Sequence, residues 1–387
     1  MKKDNLIIGM LVFCLGLISI GVFSLVQKKM LINEPVEVVE QAPETVVEEP
    51  VETHNSFRIF MVGDGLLHGA VYKAARQADG TYDFNTMIWR MGNLARQYDI
   101  AYYNQETILG GTELGLAHYP RFNSPQEFGE NMVGNGFNMV SLATNHCLDK
   151  DEEGILRSMA FWNSQPVVKA GTYLSWEEQQ AMPVYECNGI TYTYINYTYG
   201  TNGLYPPAGK EYLVNVYTPD NLLADIERAN GMSDVVIVAI HWGTEYQHDP
   251  NSEQIELAQR MADAGADVII GTHPHVIQPV EWIGDSICFY SLGNMISAQE
   301  DTEKLIGMMG EVTVNKDCVN GECKISVSDP RADLCYTYYT RTYKDFEVIP
   351  FYDLDEEHLP NHEAIYEQFK PIITRRDSSI TVGLSEY

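Results

Sequence analysis

From residue 57 onward the chain repeats one phrase. A near-continuous run of apolar and β-branched residues ends in Gly, Asn, Asp or His and then gives way to a helical pattern. Six segments carry it: Phe57–His68, Tyr98–Glu106, Phe137–His146, Asp234–Gly243, Ala266–His275 and Ser286–Asn294. A strand with one wet face alternates apolar and polar residues, whereas a strand covered on both faces reads as an unbroken apolar run. Such runs alternating with helices predict an α/β fold built on sheets sandwiched by helices. One helix is legible in detail before the fifth run. Asn251 can cap it with Gln254 three residues on, Ile255, Ala258 and Met261 form one apolar stripe, and Gly265 ends it.

The rest of the body follows from weaker signals. The segment from Thr191 to Pro207 alternates like a half-exposed strand before a Gly and Pro turn, and its tyrosines read as packing residues. Residues 301–387 read as a β-rich completion of the same domain, with a short helix near 359–370. Within that stretch Asn320-Gly321 is a two-residue hairpin turn. It sets Val319 opposite Glu322 and Cys318 opposite Cys323, in the close-spaced non-hydrogen-bonded pair that suits a cross-strand disulfide. A disulfide is expected there, with two free thiols as the alternative. Among the seven cysteines there is no C-x-x-C pair of metal-binding type, and Cys147, Cys187, Cys288 and Cys335 read as small buried residues.

The N-terminal segments place this body. Residues 6–26 form a 21-residue apolar run without a charge, flanked by Lys2 and Lys3 before it and Lys28 and Lys29 after it. That length matches a membrane span, and the run lacks the cleavage site of a removable signal peptide, so residues 1–29 read as a cytoplasmic stub and transmembrane signal anchor. Lipidation at Cys14 is disfavoured by the bulky Phe13 before it. Residues 30–56 carry an acidic Pro/Glu-rich tether, and the main domain, 57–300, is expected outside the cell. A net charge of −29 excludes a nucleic-acid-binding protein, which needs a basic face.

Open α/β sheets bind ligands beyond the carboxyl ends of their strands. Those ends carry Asp64, His68, Glu106, Asn145, His146, His241, His273 and His275, so five of the chain's ten histidines fall there. Oxygen and imidazole donors without thiolates suit Mn, Fe or Zn, and the donors outnumber what one ion with open positions takes. Two divalent ions bridged by Asp64 or Glu106, roughly 4 Å apart, fit the set. His273 and His275, two residues apart at a strand end, would share a face if the backbone stays extended.

These motifs resemble the CapA or poly-γ-glutamate capsule-synthesis proteins, a branch of the calcineurin-like metallophosphoesterases. The residues that carry the likeness are Gly63-Asp64, Asn104-Gln105-Glu106, the segment Gly136–Asp149, His241–Tyr246, Asp263–Glu281 and Tyr290–Asn294. The resemblance implies a four-layer αββα sandwich. It implies Asp64, Glu106 and His275 on one metal and Asn145, His241 and His273 on the other, with Glu106 in the bridging position. His146 is left to act as an acid or to stabilise charge, oriented by Asp149. Two departures qualify the activity: the superfamily's Asp-x-His motif is here Asp64 with His68 four residues on, and Glu106 is one methylene longer than the usual Asp.

The implied function is a membrane-anchored extracytoplasmic dimetal hydrolase acting on a phosphoester, or a related ester or amide bond. Resemblance adds a role in making, exporting or processing poly-γ-glutamate or another anionic cell-surface polymer, with capsule-synthesis membrane partners. The alternative is a non-catalytic polymer-binding or export subunit with a structural metal site. Arg121 and Glu245 are candidate substrate contacts, and His118, Tyr246 and His248 lie close to them in sequence.

Overall fold

A computed structural model describes residues 52–385. The apolar run at residues 6–26, Cys14 and most of the acidic tether lie outside them. Among the described residues no helix is long and apolar enough to cross a membrane.

The strands are β1 (Glu52–Gly65), β2 (Ile100–Asn104), β3 (Met139–Ser141), β4 (Val168–Ala170), β5 (Val184–Cys187), β6 (Ile190–Thr198), β7 (Val235–His241) and β8 (Val268–Thr272). They continue with β9 (Val280–Ile283), β10 (Ser286–Phe289), β11 (Asn294–Ile296), β12 (Ile306–Val319), β13 (Glu322–Tyr338), β14 (Glu347–Pro350) and β15 (Thr381–Val382). One sheet has the order β14-β13-β12-β1-β2-β3-β4, with β11 beside β1 and β15 beside β13; the other has the order β5-β6-β7-β8-β10-β9. Each of the six apolar runs contributes a strand, and β2, β7, β8 and β10 are buried along their whole length, as a run apolar throughout requires.

The helices are α1 (Gly69–Ala75), α2 (Asn85–Ala95), α3 (Glu127–Gly134), α4 (Asp151–Trp162), α5 (Trp176–Ala181), α6 (Pro219–Asn230), α7 (Ser252–Asp263), α8 (Thr302–Leu305) and α9 (His362–Ile373). Asn251 caps α7 as the sequence suggests, accepting from the Gln254 N–H while the Gln254 side chain accepts from Asn251 N–H.

Three apolar cores stack through the molecule. The central one joins the facing sides of the two sheets, with Phe57, Ile59 and Tyr102 from the first against Tyr194, Ile237, Ile270 and Phe289 from the second; α9 closes it through Phe369 and Ile373. A second core packs Val71 of α1, Met91 of α2, Phe128 of α3 and Ile155 of α4 on the outer face of the first sheet. A third packs Ile226 of α6 and Leu257 of α7 on the outer face of the second, against Val236, Val238 and Ile240. This mixed α/β arrangement is consistent with a metallophosphoesterase-like sandwich. Each fully buried Ile or Phe contributes about 1.5–3 kcal/mol relative to exposure, so emptying the shared core, as by Phe289→Ala, costs about 3–5 kcal/mol.

Three sequence expectations change. β1 begins at Glu52, inside the segment read as tether, because residues 52–56 pair antiparallel with residues 315–319 of the long strand β12. β6 is buried almost throughout rather than half-exposed, since it lies between β5 and β7 with one face in the central core and the other toward α6. The terminal helix starts at His362 and ends at Ile373, a few residues later than the pattern suggested.

The hairpin matches its expectation in register. Val319 faces Glu322, Cys318 faces Cys323, and the two sulfurs are bonded. Cys147, Cys288 and Cys335 are buried free thiols, and Cys187 is partly exposed.

Candidate metal centre

The carboxyl ends of β1, β2, β7 and β8, with the loop after β3, meet in one buried polar pocket. Asp64, one residue before the end of β1, is at zero exposure, in parallel register with Asn104 and Asn294. Its N–H donates to Gly293 O at 2.9 Å, an approach that requires Gly63: a Cβ there would lie 1.8 Å from the same oxygen. The Asp64 carboxylate is oriented from behind. Asn104 Nδ2 donates to Oδ1 at 2.8 Å, and Ser141 Oγ donates to Asn104 Oδ1 at 2.7 Å. Oδ2 faces His275 Nδ1 at 3.2 Å.

Glu106, just past β2, is fully buried, and neither carboxylate oxygen has a hydrogen-bond partner. Its Oε1 lies 3.5 Å from His275 Nε2 and 4.0 Å from His241 Nε2. His241, the last residue of β7, is held through Nδ1 by Thr272 Oγ1 at 2.9 Å, which aims Nε2 at Asn145 Oδ1, 3.0 Å away. The His273 ring centroid lies 4.8 Å from that of His241 and 5.8 Å from that of His275, and its Nδ1 is buried without a partner. Two sets of donor atoms therefore lie within 4.8 Å of one another: Asp64, Glu106 and His275, and Glu245, His273 and His275.

The two histidines converge for a reason other than strand alternation. β8 stops at Thr272, and His273 and His275 adopt φ of +99° and +59°, so the backbone between them is turned, not extended. Left-handed backbone is strained for a residue with a Cβ and persists only where the surroundings hold it. Tyr246 N–H donates to Pro274 O at 2.8 Å, and Asn294 brackets His275, donating to its backbone O at 3.3 Å with Oδ1 3.1 Å from its Nδ1.

Electrostatics follow from burial and the two carboxylates. Burial drives His241 and His273 well below the usual histidine range, so both are neutral imidazoles, the form that ligates metals. Burial lifts the Glu106 carboxyl well above its usual range. Burial opposes charge on His275 too, but Glu106 and Asp64 outweigh it and raise the group to about 9. An isolated carboxylate in such a place, with no donor on either oxygen, is costly; a divalent cation is the partner that satisfies it. The residues present fit a metal of the oxygen-and-nitrogen-binding kind.

Beside this pocket, His146 Nδ1 lies 2.7 Å from Asp149 Oδ2, the His-x-x-Asp contact that the spacing permits. Asp149 Oδ2 also accepts from Phe122 N–H at 2.6 Å, and the Phe122 ring meets His146 edge-on at 4.7 Å.

Other candidates fall elsewhere. His68 belongs to neither donor set: its Nδ1 accepts from Ala298 N–H at 3.3 Å, its ring packs on Phe122, and burial with the neighbouring His275 lowers its pKa to about 4. Arg121 donates to Asp149 O at 2.7 Å and pairs with Asp151 at 3.0 Å, bracing the loop that holds His146 instead of offering a free guanidinium. Glu245 is exposed but joins His273 and His275 in a donor set. His248 Nδ1 is bound to Ile277 O at 2.9 Å, a loop tie, and His118 lies against Gly69 at the start of α1.

Four contributors were not anticipated. Tyr199 stands 4.7 Å from His273 ring to ring, Asn202 lies 3.4 Å from Asn145 and 3.5 Å from His146, and Asn294 and Thr272 orient His275 and His241. Thr272 closes β8 and Asn294 ends the sixth apolar run, a signal the sequence did contain; Tyr199 and Asn202 sit just past β6, in a stretch whose tyrosines read as packing residues.

The fold and pocket define an α/β two-sheet protein with carboxylates and neutral imidazoles gathered at the strand ends. The profile of the bacterial capsule synthesis protein family PGA_cap matches residues 58–299, and the chain belongs to that family. It is 35% identical over 172 residues to the PGA biosynthesis protein CapA of Bacillus subtilis (strain 168), covering 42% of this chain and 43% of that one. It is 32% identical over 171 residues to the capsule biosynthesis protein CapA of Bacillus anthracis, covering 42% and 41%. The matches thus span less than half the length of these curated relatives. A solved hypothetical protein from Thermus thermophilus aligns over 70% of this chain and 98% of its own, at 16% identity and a TM-score of 0.43.

Proposed function

We propose that the chain is a membrane-anchored, extracytoplasmic two-metal hydrolase of the metallophosphoesterase type, working on poly-γ-glutamate or another anionic cell-surface polymer. The observation that carries this reading is Glu106: a fully buried carboxylate, both oxygens without a hydrogen-bond partner, facing the Nε2 atoms of His275 and His241. Membership in a capsule synthesis family supports the polymer, and the lysine-flanked apolar run at residues 6–26 supports the anchor.

In this reading Asp64, Glu106 and His275 would hold one divalent ion, and Asn145, His241 and His273 would hold the other. When bound, Mn, Fe or Zn supplies Lewis-acid polarisation of a phosphoryl or carbonyl oxygen. The chain's own residues do the rest. Asn104 and Ser141 fix the Asp64 carboxylate; Thr272 fixes the His241 ring, so Nε2 is aimed into the pocket. Asp149 accepts from His146 Nδ1, which leaves Nε2 to hold a proton and deliver it to the leaving group.

The test is to purify the full chain, measure its bound metal, and assay phosphodiester and γ-glutamyl substrates with added Mn²⁺ or Zn²⁺. Bound metal and metal-dependent hydrolysis, both lost in His273→Ala, are expected. Absent metal and absent hydrolysis, with polymer binding intact, would return the chain to a binding or export role.

A further inference from the structure

A cavity of about 590 Å³ opens beside the metal centre and shares two residues with it, Tyr199 and Asn202. That volume is typical of a small-molecule site, roughly 300–1,000 Å³. Its walls are unusual in two respects. Three large aromatic rings turn toward solvent on this one cavity: Trp176 at 41% exposure, Tyr199 at 40% and Tyr205 at 85%. Exposed apolar surface gathered in one place marks a contact surface, whereas scattered exposed rings mark nothing. The Trp176 ring is held in place, set edge-on to Tyr212 at 5.5 Å on a helix, α5, that Ser175 caps.

The second respect is charge. Glu211 is the one charged side chain among the described residues that line the cavity, and the chain carries a net −29. A unit bearing a free carboxylate would meet a carboxylate and no cation here. An uncharged ring fits instead: flat aromatic faces cover the C–H face of a pyranose, while Gln179, Asn202 and Glu211 offer donors and acceptors to its hydroxyls.

We propose that this cavity is a subsite for an uncharged sugar unit of the substrate, seated on Trp176 and Tyr205 with its linkage directed past Tyr199 and Asn202 to the metal centre. The proposal rests on the reading of that centre as the reaction site, and of the polymers named there it selects one other than poly-γ-glutamate: a glycan whose sugar units are uncharged and whose negative charge lies in the linkage.

The experiment uses the full chain and a panel of neutral hexoses and N-acetylhexosamines, with poly-γ-glutamate as the charged competitor, read by saturation-transfer NMR and titration. At least one saccharide is expected to bind equally with and without EDTA, and at least tenfold more weakly in both Trp176→Ala and Tyr205→Ala. Metal content and hydrolysis of bis(p-nitrophenyl) phosphate should match wild type in both variants. Binding of no saccharide, saccharide binding undiminished in both variants, or poly-γ-glutamate occupying the site through the same two rings would overturn the proposal. Metal without saccharide leaves the centre standing and removes the subsite; saccharide without metal removes the reading of the centre and leaves a sugar-binding cavity.

Discussion

The chain turns through positive φ both at the tip of the β12–β13 hairpin and after β8, and the residues it uses differ. At the hairpin they are Asn320, φ +52°, and Gly321, φ +87°, the residue types that accept such backbone at least cost. After β8 they are His273 and His275, which a simple turn does not favour. The hairpin turn is exposed, and its job is to set a register that a disulfide then locks. The histidine turn is buried, and its strain is held by Tyr246 and Asn294 so that two imidazoles can point at Glu106 and Glu245. Unfavourable backbone is kept where side-chain identity matters more than local stability.

The largest expected effect separates chemistry from scaffold. His146→Ala should lower hydrolysis about 100- to 10,000-fold, the range for a lost general acid, with metal content unchanged. A matching loss of metal would place His146 among the ligands and not beside them.

Acidity distinguishes the buried turn next. In the metal-free protein His275 is raised to about 9 against an ordinary value of 6.5. A group raised by folding stabilises fully below its unfolded value, and that contribution is lost as pH climbs from about 6.5 to about 9. Metal-free protein should therefore be less stable at pH 9 than at pH 6.5, by on the order of 2 kcal/mol, and melt at a correspondingly lower temperature. Metal-loaded protein, where a cation takes the proton's place, should fall less; equal falls would count against the ligand role of His275.

The exposed turn should answer only in stability. Replacing Cys318 and Cys323 by Ser frees a short loop and should cost about 2 kcal/mol, with metal binding untouched. The smallest effects are a reciprocal pair. Gly321→Ala should destabilise by about 1 kcal/mol through backbone strain alone, since a Cβ there meets nothing within 4 Å. His273→Gly should leave the metal-free protein as stable as wild type, or more so by about 1 kcal/mol, while weakening metal binding at least tenfold. A destabilised His273→Gly protein that still bound metal would erase the contrast between the two turns.

What the sequence made legible follows the same division. Strand positions could be read because burial on both faces writes itself as an unbroken apolar run, and the α7 cap and the hairpin register could be read because each is local. Asp64, Glu106, Asn145, His146, His241, His273 and His275 were legible as a set because a shared place at strand ends brings them together. Tyr199 and Asn202 were not, because the second sheet carries the β6 loop onto the first sheet's strand ends, a relation with no local signature. The partners of Arg121 were hidden for the same reason: Asp149 and Asp151 lie about thirty residues further along the chain. The left-handed backbone at His273 and His275 runs against residue preference, so no propensity argument finds it.

The central claim, that the buried carboxylate of Glu106 and its histidines form a metal site, is tested most directly by titrating Mn²⁺ or Zn²⁺ into EDTA-stripped full chain while following both heat and melting temperature. Saturable binding that raises the melting temperature of wild type, and fails to do so for His275→Ala, is the result this account predicts. A wild-type protein that binds neither ion, or a His275→Ala protein that binds as wild type does, would contradict it.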